Sequence, residues 1–235
     1  MEKQKVYKRK KHYWFKFWRF VAKVTFGKHQ TFWDEPFKNE PSVFVCNHER
    51  AYGPIAMMAC FPLRDSVNPW IIAEVCHAKT TPNYIRHDFW WKQDKWYTKI
   101  LDYTVPYPIA LILPPTLRGS EPIEVHHDAS VISTFKQSLE VLEHNRNIVL
   151  FPEKPLEYAE YSQSLYDGFV NIARLYVKKT GKPLNFYPVY IDKKSKTFHV
   201  GKPEVATTFD KTKLHEQEIG KKLEKSLSEL KSKYN

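Results

Sequence analysis

Apolar and polar positions follow two rhythms along this chain, one of helices and one of buried strands. Residues 12–26 (HYWFKFWRFVAKVTF) carry His12, Lys16, Arg19 and Lys23 at spacings of 4, 3 and 4, which places them on one helical stripe. Trp14, Phe17, Trp18, Val21 and Val24 fall on the opposite side. The segment therefore predicts an N-terminal amphipathic helix. Residues 43–46 (VFVC) predict a buried strand, 55–61 (IAMMACF) a buried helix after Gly53-Pro54, and 70–75 (WIIAEV) another strand. Residues 83–103, with Trp90, Trp91, Trp96 and Tyr97, read as helical or irregular. Residues 109–113 (IALIL) read as a further buried run among prolines.

The second half is more regular. Val131, Phe135, Leu139 and Leu142 share one face of a helix predicted over 130–146, stopped by Asn145-Arg146-Asn147. A strand follows at 148–151 and ends at Pro152. Residues 164–179 predict a helix ended by Gly181 and Pro183, 186–191 and 197–200 predict strands, and 212–233 predict a Lys/Glu-rich helix with Leu223, Leu227 and Leu230 on one face. Helices alternating with buried strands predict an α/β domain: a mixed, largely parallel central sheet flanked by helices. Three regions are expected: a basic, aromatic, membrane-interfacial segment at 1–37, the α/β domain at 38–208, and a charged C-terminal helix at 209–235.

Charge changes this picture at one end. Residues 1–28 hold ten Lys or Arg against one acid, Glu2, and so most of the net +11 of the chain. A cationic stripe beside Trp and Phe is the composition of a helix lying in an anionic bilayer interface, with Trp14, Lys16, Phe17, Trp18 and Arg19 as the contacts. A helix packed on its own domain, its cations snorkelling outward, has the same composition. No uncharged apolar run reaches the roughly 18 residues of a spanning helix; residues 100–117 come closest, but contain four prolines and Asp102. The N-terminus is too charged for a signal peptide. Three cysteines, Cys46, Cys60 and Cys76, make no disulfide framework and fit a reducing compartment. The expectation is a cytoplasmic protein, peripheral at the inner face of the membrane.

Candidate chemistry gathers at strand ends. His48 follows the 43–46 strand in a polar turn, where α/β folds present reactive groups, and an imidazole with an ordinary pKa near 6.5 can serve as general base. It can equally be a hydrogen-bonding cap. Phe151-Pro152-Glu153 ends the 148–151 strand and presents a second polar group, which can also be an edge carboxylate paired with a cation. Arg118-Gly119-Ser120 offers a guanidinium beside a small turn, suited to a phosphate. Cys76-His77 and His126-His127 lack recognised metal-ligand spacing, so no metal is expected. There is no glycine-rich phosphate loop among only seven glycines, and no nucleophile-elbow context. Nucleic acid as a partner would rest on the basic N-terminus alone, without a recognised module, and is not expected.

Taken in order, these pieces resemble the glycerolipid acyltransferase family, of the lysophosphatidic acid (1-acylglycerol-3-phosphate) acyltransferase type. The matching stretches are VFVCNHERAYGP (43–54), LRGS (117–120), IVLFPEK (148–154), LYDGFVNIARLY (165–176), FYPVYI (186–191) and FHVGKPEV (198–205), so the resemblance spans roughly residues 38–205. It implies transfer of an acyl chain from a thioester, acyl-CoA or acyl-carrier protein, to the hydroxyl of a lysophospholipid or glycerol phosphate-type acceptor, with no bound cofactor. His48 would take the hydroxyl proton, Arg118 would hold the acceptor phosphate and Glu153 would support that site. Asn47, Gly119, Phe151, Pro152 and Lys154 complete the implied substrate-binding set. Two positions depart from the pattern. The family's His-x4-Asp motif has Gly53 where its orienting Asp belongs, and Lys154 stands where it has Gly. Loss of such an orienting carboxylate costs about 10⁴ in turnover in serine proteases. Glu49, an Asp from another segment or a backbone carbonyl would have to replace it, and restoring Asp at position 53 is the natural test. The other reading is a catalytically silent relative that binds lipid.

Overall fold

The computed structural model describes residues 12–49, 51–87, 97–126, 130–152, 168–207 and 213–234, with side chains from 218 onward in the last stretch. In chain order the elements are α1 (Tyr13–Phe26), β1 (Gln30–Trp33), β2 (Ser42–Cys46), α2 (Tyr52–Cys60), β3 (Val67–Ile72), α3 (Ala73–Cys76), α4 (Thr81–His87), α5 (Thr98–Thr104), α6 (Pro106–Arg118), β4 (Ile123–Val125), α7 (Val131–Glu143), β5 (Asn147–Leu150), α8 (Asn171–Thr180), β6 (Leu184–Asp192), β7 (Thr197–Val200), β8 (Glu204–Ala206) and α9 (Lys213–Tyr234).

The strands form one eight-stranded sheet in the order β1-β7-β6-β2-β5-β3-β4, with β8 also paired to β6. β2, β3, β4, β5 and β6 run parallel to one another, whereas β7 and β8 run antiparallel to β6. This is the α/β, mixed and mostly parallel sheet that the alternation predicts. β2 and β5 are buried at every position, as strands covered on both faces must be.

Alternation of period two sorts their side chains between two layers. Val43, Val45, Ile148 and Leu150 face Leu142 of α7, Ile172 and Tyr176 of α8, and Ile219 and Leu223 of α9. Phe44, Cys46 and Val149 face Ala56 and Met57 of α2, with Phe61, Phe26 and Trp33 packed around them. The C-terminal helix is thus part of the domain's core. β1 likewise brings the N-terminal region into the sheet, beside β7.

Three expectations are corrected. Residues 70–75 are strand only as far as Ile72, and Ala73–Cys76 form the short α3. Residues 109–113 are not a buried run. They lie in α6, and of these five only Ala110 is buried, while Leu111 is 75% exposed. Pro106 opens that helix, where a missing N–H costs nothing. In α1, the stripe of cations does not face away from the protein as a unit. Phe15 is buried, Trp18, Arg19, Ala22 and Phe26 are partly buried, and Arg19 Nη1 donates to Asp65 Oδ1 at 2.6 Å. Lys16 and Lys23 share the outward side with Tyr13, Trp14, Phe17, Phe20 and Val24. The helix holds more apolar residues than one face accommodates. Packing selects Phe15, Ala22 and Phe26, spaced 7 and 4 apart, as the inner stripe.

Candidate functional site

The parallel strands all end at one edge of the sheet, the side on which open α/β sheets hold ligands. At β2 that end is fixed by Asn47. This residue is buried, its Nδ2 donates to the Ile191 carbonyl at 3.1 Å, and its Oδ1 accepts the Ile191 N–H at 2.6 Å. Both polar ends of Asn47 are taken up in holding β2 to β6. It holds the strand end that presents the next residue.

His48 follows, exposed at the edge. Its ring meets Phe151 edge-on, with centroids 5.5 Å apart and planes at 68°. The register that pairs Val45 with Leu150 brings these two strand ends together. Pro152 is partly buried beside them, while Glu153 and Lys154 lie outside the described residues. The Trp90, Trp91 and Trp96 cluster does also.

After His48 the chain reverses through Glu49, whose backbone is left-handed at φ 42° and whose carbonyl accepts the Tyr52 N–H at 3.3 Å. That conformation is uncommon outside glycine. α2 then begins almost on top of the loop it follows. A Cβ on Gly53 would stand 2.3 Å from the His48 carbonyl oxygen, 3.0 Å from its carbon and 3.1 Å from the Asn47 carbonyl oxygen. All three are backbone atoms, which cannot swing aside. Gly53 is therefore required by the approach of α2 to residues 47–48. An aspartate does not fit there without moving the helix.

Tyr52, beside Gly53, makes a pair that the sequence did not signal. Its hydroxyl lies 2.7 Å from His29 Nε2, and His29 Nδ1 lies 3.2 Å from the Gly27 carbonyl. A carbonyl only accepts, so Nδ1 carries the proton and Nε2 accepts from the Tyr52 hydroxyl. Burial lowers the His29 pKa, partly opposed by the Gly27 bond, and burial raises that of Tyr52. Both stay neutral near pH 7. The Tyr52 ring stacks on Phe26 at 4.8 Å, and Lys193 of the β6–β7 hairpin lies over it, its Nζ 5.6 Å from the centroid.

An imidazole–carboxylate arrangement joins β4 to the turn after α3. Glu124 Oε2 is 3.1 Å from His77 Nε2 and 3.9 Å from His126 Nε2. Glu124 comes between these histidines because β3 pairs Ile71 with Glu124, a relation that no spacing along the chain reveals. No group of three or more His, Cys, Asp and Glu side chains able to hold a metal ion occurs among the described residues. Cys76, next to His77, is fully buried, and burial pushes its thiol up to about 12, helped by the Glu124 carboxylate.

Arg118 is not at a strand end. It is the last residue of α6, exposed, and precedes β4. β4 stands three places from β2 in the sheet, about 14 Å at the usual spacing between strands. Gly119, just after α6, packs closely against α1. A Cβ on it would meet Phe15 Cβ at 2.2 Å and Phe15 Cγ at 2.8 Å, so the glycine seats α1 on the end of α6. The structure thus brings His48 to Phe151, and places Arg118 at the end of α6 with Gly119 in the turn before β4.

No family model matches the chain, and no curated protein or solved structure matches it.

Proposed function

We propose that this chain transfers an acyl group from an acyl thioester, acyl-CoA or acyl-carrier protein, to the hydroxyl of a lysophospholipid or glycerol phosphate-type acceptor at an anionic membrane surface. The observation that carries this reading is an exposed imidazole at the end of a fully buried parallel strand, edge-on to Phe151 of the neighbouring strand end. His48 takes the acceptor's hydroxyl proton as the oxygen attacks the thioester carbonyl. The C–O bond forms, the C–S bond breaks, and the departing thiolate takes the proton back from the imidazolium. No acyl-enzyme is needed. Glu49 supplies the carboxylate beside His48. It is the nearest acid in sequence, and its backbone is left-handed, a turn conformation it shares with Asn39, Glu121, Asn145 and Lys196. The protein acts from the cytoplasmic side as a peripheral protein. Among the described residues no helix is long and apolar enough to cross a membrane.

A second reading, a silent lipid-binding relative, is favoured by Gly53, since the backbone there excludes the family's orienting carboxylate. One assay separates the two: acyl transfer from a panel of acyl-CoA and acyl-carrier donors to lysophospholipids on anionic vesicles, beside His48→Ala. Transfer that is lost in the variant supports the enzyme. Equal inactivity of both proteins, with vesicle binding retained, supports the silent binder.

A further inference from the structure

The outward face of α5 and α6 is unlike the surface of an ordinary soluble helix pair. α6 exposes Tyr107, Pro108, Leu111, Ile112 and Pro115 along one stripe, with Leu111 at 75% and Ile112 at 43%. α5 adds Ile100 and Tyr103, at 55% and 69%. From Tyr103 to Leu117 the sequence holds no charged residue at all. Exposed apolar side chains clustered in this way mark an interaction surface, whereas scattered ones do not.

Three features identify what covers it. First, the patch adjoins α1. Phe15 of α1 sits on Gly119 at the end of α6, and α1 turns Tyr13, Trp14, Phe17, Phe20 and Val24 outward. Second, cations border both faces, while Asp102 of α5 is half-buried and Asp65 beside α1 is paired with Arg19. Lys99 and Arg118 flank the α5–α6 stripe, with Arg118 three residues beyond Pro115 on the same helical face, and Lys16 and Lys23 are exposed on α1. Third, the stripe carries Tyr103 and Tyr107 beside its aliphatic side chains, the amphipathic rings that favour a headgroup interface. Two copies meeting at this face would bring like cations together in a chain of net charge +11. An anionic lipid surface accepts all three features. Apolar side chains enter the acyl boundary, Tyr and Trp sit at headgroup depth, and the cations meet the phosphates.

We infer that α5 and α6, together with α1, form one docking surface for an anionic bilayer, so that the protein holds the membrane with three helices. Arg86 braces the new half. Its Nε donates to the Asp102 carbonyl at 2.8 Å and its Nη2 donates to the Tyr107 hydroxyl at 2.8 Å, which ties α4 to both helices. The inference rests on the membrane-surface part of the proposed function and extends it to a region that the sequence presents as core.

The test is flotation of the full chain with vesicles of phosphatidylcholine, alone and mixed with phosphatidylglycerol. Wild type is compared with Leu111→Glu/Ile112→Glu on α6 and Phe17→Glu/Phe20→Glu on α1. Circular dichroism and thermal melting verify folding, and a milder Leu111→Ser/Ile112→Ser pair replaces the Glu pair if that one does not fold. Each pair is expected to weaken binding to the mixed vesicles by about tenfold or more, the loss that follows from withdrawing two apolar side chains from the acyl boundary. If the α6 variants bind like wild type while the α1 pair does not, α5–α6 is not a docking surface and the inference falls, with membrane placement through α1 left standing. If wild type forms a lipid-independent dimer that the α6 variants abolish, the occupant is a second copy and the inference also falls. If wild type floats with neither vesicle, the membrane part of the proposed function itself fails.

Discussion

Placing an aspartate at position 53 is the change that a motif comparison suggests, and the structure predicts that it harms the protein. The Cβ alone would come within 2.3 Å of the His48 carbonyl oxygen, roughly an ångström inside van der Waals contact, and two further backbone atoms lie 3.0–3.1 Å away. Relief requires the first turn of α2 to back away from residues 47–48, and overpacking of this kind costs about 1–3 kcal/mol. Two gains offset part of it. Asp is a slightly better helix former than Gly, by about 0.3 kcal/mol, and a carboxylate in a first helical turn gains about 0.5 kcal/mol. The net effect of Gly53→Asp is a loss of about 0.2–2.2 kcal/mol, or up to about 9 °C in Tm for a chain of this size. Acyl transfer does not rise, because the movement that admits the side chain displaces the loop carrying His48. Gly168→Ala is the control, since a Cβ there meets nothing within 4 Å. The assay is thermal melting of the three proteins together with acyl transfer on anionic vesicles. A Gly53→Asp protein that melts with wild type and transfers faster would refute the reasoning, and would show that only the orienter had been lost.

Other outcomes follow from the same geometry. Glu49→Gly relaxes a left-handed backbone and stabilises the fold by about 0.5–1 kcal/mol, yet lowers transfer by about 10² or more if Glu49 is the carboxylate partner; melting and kinetics on one preparation read both, and unchanged turnover removes Glu49 from the mechanism. Asn47→Ala leaves the buried Ile191 N–H and C=O without their partner and costs about 2–3 kcal/mol, seen as a lower denaturation midpoint; a neutral result contradicts the clamp. Gly119→Ala destabilises the protein, and Phe15→Gly in the same chain, which removes the Phe15 Cβ that the new methyl would strike, recovers part of the loss; additive effects in that double-mutant cycle would contradict the seat. Burial lowers the pKa of both His29 and His199 in the folded protein, so between their folded values and about 6.5 the unfolded chain binds more protons. Stability is full above about pH 6.5 and falls as pH drops below it; a denaturation midpoint that stays flat from pH 7 to 5 would contradict this.

What the sequence made legible depended on whether a signal was local. The buried runs of β2, β5, β6 and β7 and the C-terminal helix α9 lie within a residue or two of where composition places them, and α7 ends three residues before its expected stop. β1, β4 and β8 have only three or four residues each and were not anticipated, because their strand character comes from pairing partners and not from their own composition. The apolar run in α6 misled because hydrophobicity reports a demand for burial without saying what supplies it. At the site, His48 and Phe151 were legible as strand ends. The Tyr52–His29 and Glu124–His77 pairs were not, since each joins residues far apart in the chain.

The two glycines carry the deeper lesson. In a motif, Gly53 reads as a vacancy and Gly119 as a flexible turn beside a phosphate-binding arginine. In the structure both are contact surfaces: one receives the His48 carbonyl, the other the Phe15 ring. The second contact has a functional consequence. By seating α1 against the end of α6, Gly119 places Arg118 at the edge of the apolar faces of both helices, while about 14 Å of sheet separates β4 from β2. On the proposed membrane reading, a guanidinium there meets a phosphate of the bilayer. It follows that Arg118→Ala should weaken binding to anionic vesicles and leave turnover at saturating lipid nearly unchanged. A fall in turnover with binding intact would return Arg118 to the acceptor site.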